Sequence, residues 1–532
     1  MGKGINEMKK LTVYLSLLLC ALLIFSSCGA KDVAMDAEMP MMPSKGQNYF
    51  YSTSTALDGV SKIEMEMVEE SITVGGTDDE KTGEVVDIFK LIENPFISTA
   101  DENVSTFSAD VDTASYAYFR KLVEEGYSLS ELIATAGSSI RTEEMINYFD
   151  YGYASPAEGE LFSTKVQIAP CPWNNETSLL VLGMKTAETP IAARNNLVFL
   201  IDVSGSMRSS DKLELLKKAF EYLVENIGED DTISIVTYAG EERVVLDGCE
   251  GSKKTKILNA VRSLNSGGST NGEAGLKKAY QLAEKHFIEG GNNRIIMASD
   301  GDLNVGMSSV DEIESFVSEK RESGVFMSVL GFGTGNYKDN MMEKIADCGN
   351  GVYYYIDSET EAEKIFGEEL FSTLYTVAKD VKLQLTFSEE AVKEYRLVGY
   401  ENRLLANEDF ENDTKDAGEL GSGHSITVCY ELKLGGESIE APWIDLAVRY
   451  KAPDGNKSEL NEYSFGGEAY TAAPDDTFKF ITSLIETSMI LHESEYIGDI
   501  TLENVADTLH TLKLDDEYKK QFVDLIDTLI KN

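Results

Sequence analysis

The sequence predicts a doubly wound, mostly parallel α/β sheet, flanked by an N-terminal α+β segment, a β-sandwich-like region and C-terminal helices. Three observations lead to this fold class. Short apolar strands alternate with helix-length segments over residues 195–376. After residue 379 the apolar period changes from that of a helix to strict alternation, and residues 475–531 are helical again. Strands separated by helices of this length pair in parallel through right-handed crossovers.

The segment before the central sheet mixes strands and helices. A strand is expected at residues 105–112 and a helix at residues 113–125, because apolar residues recur there at helical spacing. Asp112 is assigned as the N-cap of this helix, since aspartate accepts hydrogen bonds from the first backbone N–H groups. The elements predicted after it are a helix at residues 141–149 and strands at residues 162–168 and 178–186.

The central sheet is predicted to begin at residues 197–201, a continuous apolar run typical of a strand buried on both faces. The elements expected after it are a helix at 212–226, strands at 232–238 and 244–246, helices at 254–263 and 272–287, a strand at 294–298, a helix at 310–323, a strand at 325–330, a helix at 340–346, a strand at 351–356 and a helix at 361–377.

Strict alternation at residues 381–387 begins the β-rich region, whose further strands are expected at residues 395–400, 425–434 and 443–450. A chain of 532 residues is longer than one ordinary domain. We therefore divide it into a leader (1–27), a flexible tether (28–87), an N-terminal domain (88–190), the α/β domain (191–378), a β-rich domain (379–470) and C-terminal helices (471–532).

The balance of charge is strongly acidic, with 47 basic and 92 acidic residues and a formal net charge of −45. Such a surface repels nucleic acid and anionic lipid headgroups, so neither is an expected partner. It attracts divalent cations and basic surfaces. The same charge also keeps a chain soluble, and composition alone does not separate these roles.

The first residues are typical of an export signal. A basic start precedes an apolar run at residues 11–25, which is too short for a comfortable membrane span. The following Ser-Ser-Cys-Gly resembles the bacterial lipoprotein signal, in which Cys28 becomes the lipidated first residue of the mature protein. This resemblance implies a lipid anchor at Cys28 and a location on the extracytoplasmic face of a cell membrane. The alternatives are an ordinary signal peptide and a short uncleaved anchor.

Four later cysteines show no C-x-x-C spacing, so a zinc site is not expected. They are Cys171, Cys249, Cys348 and Cys429. Disulfide bridges and buried free thiols both remain open, because sequence does not determine pairing.

Three oxygen-rich pieces fall where ligands bind a doubly wound sheet, at the carboxyl ends of its strands. They are Asp202-Val-Ser204-Gly-Ser206 after the first central strand, Gly-Gly-Ser-Thr ending at Thr270, and Ser-Asp-Gly around Asp300. Hydroxyl and carboxylate oxygens are ligands that a hard cation such as Mg²⁺ prefers. On its own, the first piece also suits a helix N-cap turn.

This set resembles the metal-ion-dependent adhesion site of von Willebrand factor A (VWA) domains. The resemblance implies that Ser204, Ser206 and Thr270 ligate Mg²⁺ or Mn²⁺, while Asp202 and Asp300 ligate it directly or through water. It also implies that an acidic group of a protein partner completes the coordination.

The similarity extends beyond the central sheet. Residues 107–116, 144–149 and 331–337 resemble those of a bacterial lipoprotein family that has an extra N-terminal domain and a family-specific C-terminal domain around the VWA domain. In such proteins the flanking strands pair with one another. We therefore expect residues 162–186 to join residues 381–450 in one β-sandwich.

Other motifs predict little. The sequence Asp300-x-Asp302-x-Asn304 begins like a Ca²⁺ loop, but Val305 stands where the loop needs Gly. Gly331-x-Gly-x-Gly departs from the dinucleotide pattern G-x-G-x-x-G. Asp110 and Asp112 could bind metal, although helix capping by Asp112 is the preferred interpretation.

We expect a binding or adhesion module and not an enzyme. A hydrolase needs a nucleophile, a base and an orienting group, and the four histidines look like surface residues. These are His286, His424, His492 and His510. The alternative functions are a cell-envelope scaffold in which the metal is only structural and, less favoured, a metal-assisted hydrolase.

Overall fold

The computed structural model describes residues 92–188, 194–268, 272–301, 310–333, 339–369, 374–436, 442–453 and 455–532. The predicted leader and tether, with Cys28, lie outside these residues, and so does Thr270.

The strands, in chain order, are β1 (Ile97–Ser98), β2 (Val104–Ser108), β3 (Phe162–Pro170), β4 (Ser178–Thr186), β5 (Asn195–Asp202), β6 (Thr232–Tyr238), β7 (Glu242–Glu250), β8 (Asn292–Ser299), β9 (Phe326–Phe332), β10 (Tyr353–Ile356), β11 (Thr376–Phe387), β12 (Val392–Val398), β13 (Gly418–Gly421), β14 (Ser425–Leu434), β15 (Ile444–Lys451) and β16 (Ser458–Phe465).

The α-helices are α1 (Ala114–Glu124), α2 (Leu129–Thr135), α3 (Thr142–Asn147), α4 (Leu215–Asn226), α5 (Lys254–Arg262), α6 (Gly272–Lys285), α7 (Val310–Arg321), α8 (Asp339–Cys348), α9 (Glu359–Glu363), α10 (Asp476–Leu491), α11 (Leu502–Leu509) and α12 (Glu517–Lys531). A π-helical turn, Ser210–Glu214, leads into α4, and another, Lys364–Glu368, follows α9.

The central sheet has the strand order β10-β9-β8-β5-β6-β7. All neighbours are parallel except β7, which runs antiparallel to β6. Side chains of β5 alternate between two cores. Leu197 and Phe199 face α4 and α5, whereas Val198 and Leu200 face α6, α7 and α8. Because both faces are covered, the continuous apolar run is explained, and the predicted doubly wound sheet is confirmed.

The two other sheets form the expected β-sandwich from strands on both sides of the central domain. One has the order β1-β12-β14-β4-β3, and in the other β11 pairs with β2, β13 and β15, while β16 pairs with β15. Ring contacts join the two sheets: Phe387 stacks on Tyr395 at 4.3 Å between centroids, and Phe162 meets Tyr450 at 5.0 Å. The predicted pairing of the flanking strands is therefore confirmed.

A helical layer covers the outer face of the sheet that contains β4. Leu179 and Val181 of β4 pack with apolar residues of α1, α3, α10, α11 and α12, while Leu180 and Leu182 point into the sandwich. The two ends of the inserted domain lie together, since Asn195 Nδ2 donates a hydrogen bond to the Tyr375 hydroxyl at 2.8 Å.

The predicted helix at residues 361–377 was wrong at both ends. Helix α9 begins at Glu359, the π-helical turn ends at Glu368, and Thr376 already belongs to strand β11. Pairing of Thr376 with Gly421 extends β11 backwards, and no local sequence signal reports that pairing.

Among the described residues, no helix is both long enough and apolar enough to cross a membrane. Cys171, Cys249, Cys348 and Cys429 are free thiols.

Candidate metal site at the carboxyl end of the central sheet

The first predicted loop begins at Asp202, the last residue of β5, which is fully buried. The Asp202 Oδ1 atom accepts a hydrogen bond from the Ser204 backbone N–H at 2.7 Å, which closes the loop on itself. The hydroxyl oxygens of Ser204 and Ser206 lie 2.8 Å apart. Two hydroxyls are thus gathered beside a buried carboxylate.

The second loop lies against the first. The backbone N–H of Gly267 donates to the Val203 carbonyl at 2.7 Å, and that of Gly205 donates to the Gly268 carbonyl at 3.1 Å. These two bonds hold Gly267 and Gly268 against the first loop. The position of Thr270 itself stays a prediction, because it lies outside the described residues.

Asp300 follows β8 at the same edge of the sheet. Strand β8 pairs in parallel with β5, and Ala298 lies opposite Ile201. The buried Asp300 carboxylate accepts a hydrogen bond from Lys212 Nζ through Oδ2 at 2.8 Å. The structure therefore brings Asp202 and Asp300 to neighbouring strand ends, as the sequence predicted.

Two residues that the sequence did not single out also belong to this site. One is Lys212. The other is Tyr238, the last residue of β6, which is in register with Asp202. Burial raises the pKa of the Tyr238 hydroxyl well above its ordinary value, and the negative charge of Asp202 adds to the rise. The position of Tyr238 at a parallel strand end was the signal that could have identified it.

The donor set fits a hard divalent cation. The loop after β5 supplies the Asp202 carboxylate and the Ser204 and Ser206 hydroxyls, and the Asp300 carboxylate follows the neighbouring parallel strand. All are oxygen ligands, which Mg²⁺ and Mn²⁺ prefer, and no thiol or imidazole belongs to the set. Backbone hydrogen bonds hold the 202–206 loop against Gly267 and Gly268.

A different acidic cluster lies where the N-terminal segment meets α8. The carboxylates of Asp110, Asp112, Glu144 and Glu343 are buried, and one oxygen of each lies within 4.8 Å of the others. Two guanidinium groups already pair with them. Arg403 contacts Asp110, Asp112 and Glu343 at 3.0–3.2 Å, and Arg141 contacts Glu144 and Glu343 at 2.5–2.6 Å. The cluster is thus an ion-pair network.

This network corrects the assignment of Asp112 as a helix cap. Thr113 occupies the N-cap position of α1, and Asp112 instead accepts hydrogen bonds from the Tyr353 backbone N–H and from Arg403. Burial, and then the charge of Asp110, raises the pKa of Asp112. Burial also raises the pKa of Glu343 to about 8, although Arg141 and Arg403 oppose the rise.

The histidines are less exposed than the sequence suggested. Burial lowers the pKa of His424 to about 4. His492 Nε2 donates to the Ile140 carbonyl at 2.6 Å, and burial lowers its pKa too. His286 and His510 contact Asp247 and Asp527, respectively. His286, His424 and His492 are thus partly buried, whereas His510 is exposed.

Comparisons with known proteins agree with this architecture. The family model for von Willebrand factor matches residues 87–181, and that for the von Willebrand factor type A domain matches residues 196–368. The model described as "Uncharacterized protein YfbK, C-terminal" matches residues 372–531.

Similarity to individual proteins varies in extent. The chain is 39% identical over 469 residues to YfbK of Escherichia coli strain K12, covering 82% of this chain and 79% of that protein. It is 26% identical over 339 residues to human inter-alpha-trypsin inhibitor heavy chain H3, of which it covers only 36%. A solved structure, von Willebrand factor type A from Catenulispora acidiphila, aligns with a TM-score of 0.40 and 16% identity, covering 64% of this chain and 80% of that one.

The fold and the family matches define a protein built around a VWA domain, a class that generally serves in interaction or adhesion. Within that class, the chain belongs to the VWA-containing family typified by YfbK, since the identity extends over most of both proteins.

Proposed function

We propose that this chain is a lipid-anchored, extracytoplasmic binding protein that uses Mg²⁺ or Mn²⁺ to hold an acidic group of a protein partner. The ligands are Ser204, Ser206 and Thr270, together with Asp202 and Asp300. The observation that carries the proposal is the loop at the end of β5, where two hydroxyls 2.8 Å apart lie beside the buried carboxylate of Asp202.

Each part of the site has a role in binding. The Asp202 carboxylate orients the loop through the Ser204 N–H, and the serine hydroxyls supply neutral oxygen ligands. A bound ion supplies positive charge and a coordination position open to the partner. An acidic protein can then bind an acid, because a metal ion inverts the local charge.

A purely structural metal is the second candidate function. It assigns the ion the task of joining the three loops. The backbone bonds from Gly267 to Val203 and from Gly205 to Gly268 already join two of them. This observation favours the binding role over the structural one.

Calorimetric titration of Mg²⁺, Mn²⁺ and Ca²⁺ into the soluble chain after Cys28 tests the site. The variant Asp202→Asn keeps an oxygen for the Ser204 N–H but loses the charge. We expect it to weaken Mg²⁺ or Mn²⁺ binding by more than about 100-fold. That figure is the largest loss of metal affinity that changes outside the ligand shell usually cause. The control, Glu214→Gln, removes one charge from an exposed side chain nearby and should bind as the native protein does.

The two candidate functions differ in a further measurement. Under the proposal, the immobilised native protein captures a carboxylate-bearing partner, and EDTA stops this capture without unfolding the sheet. The Asp202→Asn variant does not capture the partner. Equal metal affinity in Asp202→Asn and native protein would refute the site. Binding of the partner without metal, together with a lower melting temperature in EDTA, would support the structural role.

The proposed anchor has its own test at Cys28. The native protein should fractionate with the cell membrane and carry the mass of acyl chains, whereas Cys28→Ser should lose that mass, since stable anchoring depends on at least two chains. Cys20→Ser, within the apolar run, serves as the control and should remain in the membrane fraction. Retention of Cys28→Ser in the membrane would instead support an uncleaved anchor.

A further inference from the structure

A buried lysine is paired with one of the proposed metal ligands. Lys212 Nζ lies 2.8 Å from Asp300 Oδ2, and the side chains of the two residues are 9% and 0% exposed. Taking an isolated charge out of water is costly, and the opposite charges of this buried pair offset part of that cost. An ammonium group therefore lies within hydrogen-bond distance of a carboxylate that the proposed function assigns to a divalent ion.

Two segments of the fold position the Lys212 side chain. Lys212 belongs to the π-helical turn Ser210–Glu214, which follows the 3₁₀ turn Gly205–Arg208 at the end of the 202–206 loop. Its aliphatic stem lies against Gly333, just beyond β9, where φ is +76° and any Cβ would overlap the lysine side chain. The π-helical turn and the residue after β9 thus hold the Lys212 ammonium group beside Asp300. Lys218, by contrast, is exposed.

We propose that Lys212 is a tethered cation that competes with the divalent metal for Asp300 and thereby sets the metal affinity. This inference rests on the proposed function, because it concerns regulation of the same site. Asp202 and Asp300 carry two negative charges, and Lys212 neutralises one of them. For the metal to gain the full charge of Asp300, Lys212 must leave Oδ2 or share the carboxylate.

The competition has two consequences. It weakens metal binding, so the fraction of loaded protein depends on the concentration of divalent cations around the protein. It also pairs the Asp300 carboxylate with a positive charge when no ion is bound, which stabilises the metal-free protein. Removing the lysine charge should reverse both effects. Metal would then bind without a competing cation, and the metal-free protein would lose the ammonium group that pairs with the buried Asp300 carboxylate.

The test compares Lys212→Met with the native protein by Mg²⁺ titration and by melting temperature. We expect Lys212→Met to bind Mg²⁺ at least tenfold more tightly than the native protein. In EDTA it should melt below the native protein, and added Mg²⁺ should raise its melting temperature by more than it raises that of the native protein. Lys218→Met removes the same charge from an exposed position on α4 and should match the native protein in each measurement.

The outcomes separate this inference from the function on which it rests. If the native protein binds Mg²⁺ and Lys212→Met binds it equally or less tightly, the inference is overturned and the metal site stands. If none of the three proteins binds Mg²⁺ or Mn²⁺, both fail. Should Lys212→Met not fold in EDTA, Lys212→Gln retains an N–H donor for Asp300 without the charge, and the same tenfold criterion applies.

Discussion

Glu486 illustrates how strongly burial acts on single residues of this chain. It lies on α10 with 4% of its surface exposed, and burial raises its pKa to about 7. An unfolded glutamate titrates near 4.5. Between these values the folded protein holds a proton that the unfolded chain releases. The contribution of Glu486 to the free energy of unfolding therefore falls as pH rises through this window, by roughly 3 kcal/mol in all.

Replacing Glu486 with Gln should consequently stabilise the protein in a pH-dependent way. We expect the melting temperature of Glu486→Gln to exceed that of the native protein at pH 8, and the difference to shrink towards pH 5, where the native carboxyl is protonated. Thermal unfolding followed by circular dichroism at both pH values measures this. Glu495→Gln changes an exposed residue just beyond α10 and should show no such trend. A difference that stays constant with pH would contradict the prediction.

For single residues, the sequence predicted positions in the chain better than contacts between side chains. Asp202, Ser204 and Asp300 were predicted at strand ends, and they lie at or just after the ends of β5 and β8, which pair in parallel. Their role as metal ligands stays a prediction. The role of Lys212 was not predictable, because helical spacing says nothing about which distant carboxylate a lysine reaches. Asp112 was misassigned for the same reason, since its partner Arg403 lies almost 300 residues away.

Helices α1 and α9 are joined by a buried ionic contact. Arg120, which is 1% exposed, donates to both Asp357 carboxylate oxygens, to Glu361 and to the Tyr148 hydroxyl. The guanidinium thus pairs with two carboxylates at once. It thereby connects the N-terminal segment to the last helical part of the VWA domain.

Arg120→Met should destabilise the protein by about 3–5 kcal/mol, because it leaves buried carboxylates without a counter-ion. Chemical denaturation measures the change. Lys121→Met, which removes a partly exposed pair with Glu125 on the same helix, should cost at most about 1 kcal/mol. Adding Asp357→Asn and Glu361→Gln to Arg120→Met should restore part of the loss. Equal losses of unfolding free energy in the Arg120 and Lys121 variants would show that the buried ionic contact stabilises the protein no more than the exposed pair does.

Element types followed from the sequence because apolar periodicity is local. Element ends did not, as the predicted helix at residues 361–377 shows. Residues 376 and 377 belong to β11 because their backbone pairs with a strand more than 40 residues later.

On the scale of the whole molecule, the sandwich is divided in sequence by the VWA domain. Strand β4 pairs with β14 from Ser178 opposite Leu432 to Lys185 opposite Ser425, and β2 pairs with β11. The pattern of apolar residues predicted these strands. Their partners lie hundreds of residues away, so only the family resemblance suggested the pairing. Neither flank contains a complete sheet.

The shared sheets predict that residues 374–532 do not fold alone. Without β2 and β4, strands β11 and β14 would present unpaired edges, which promote aggregation. We expect a tagged 374–532 fragment to be soluble and to melt cooperatively only when it is co-expressed with residues 92–369. Co-expression with residues 194–369 supplies the VWA domain without the N-terminal strands and should not rescue it. A cooperative melt of 374–532 alone, or equal rescue by 194–369, would mean that strand sharing across the inserted domain is not what stabilises the sandwich.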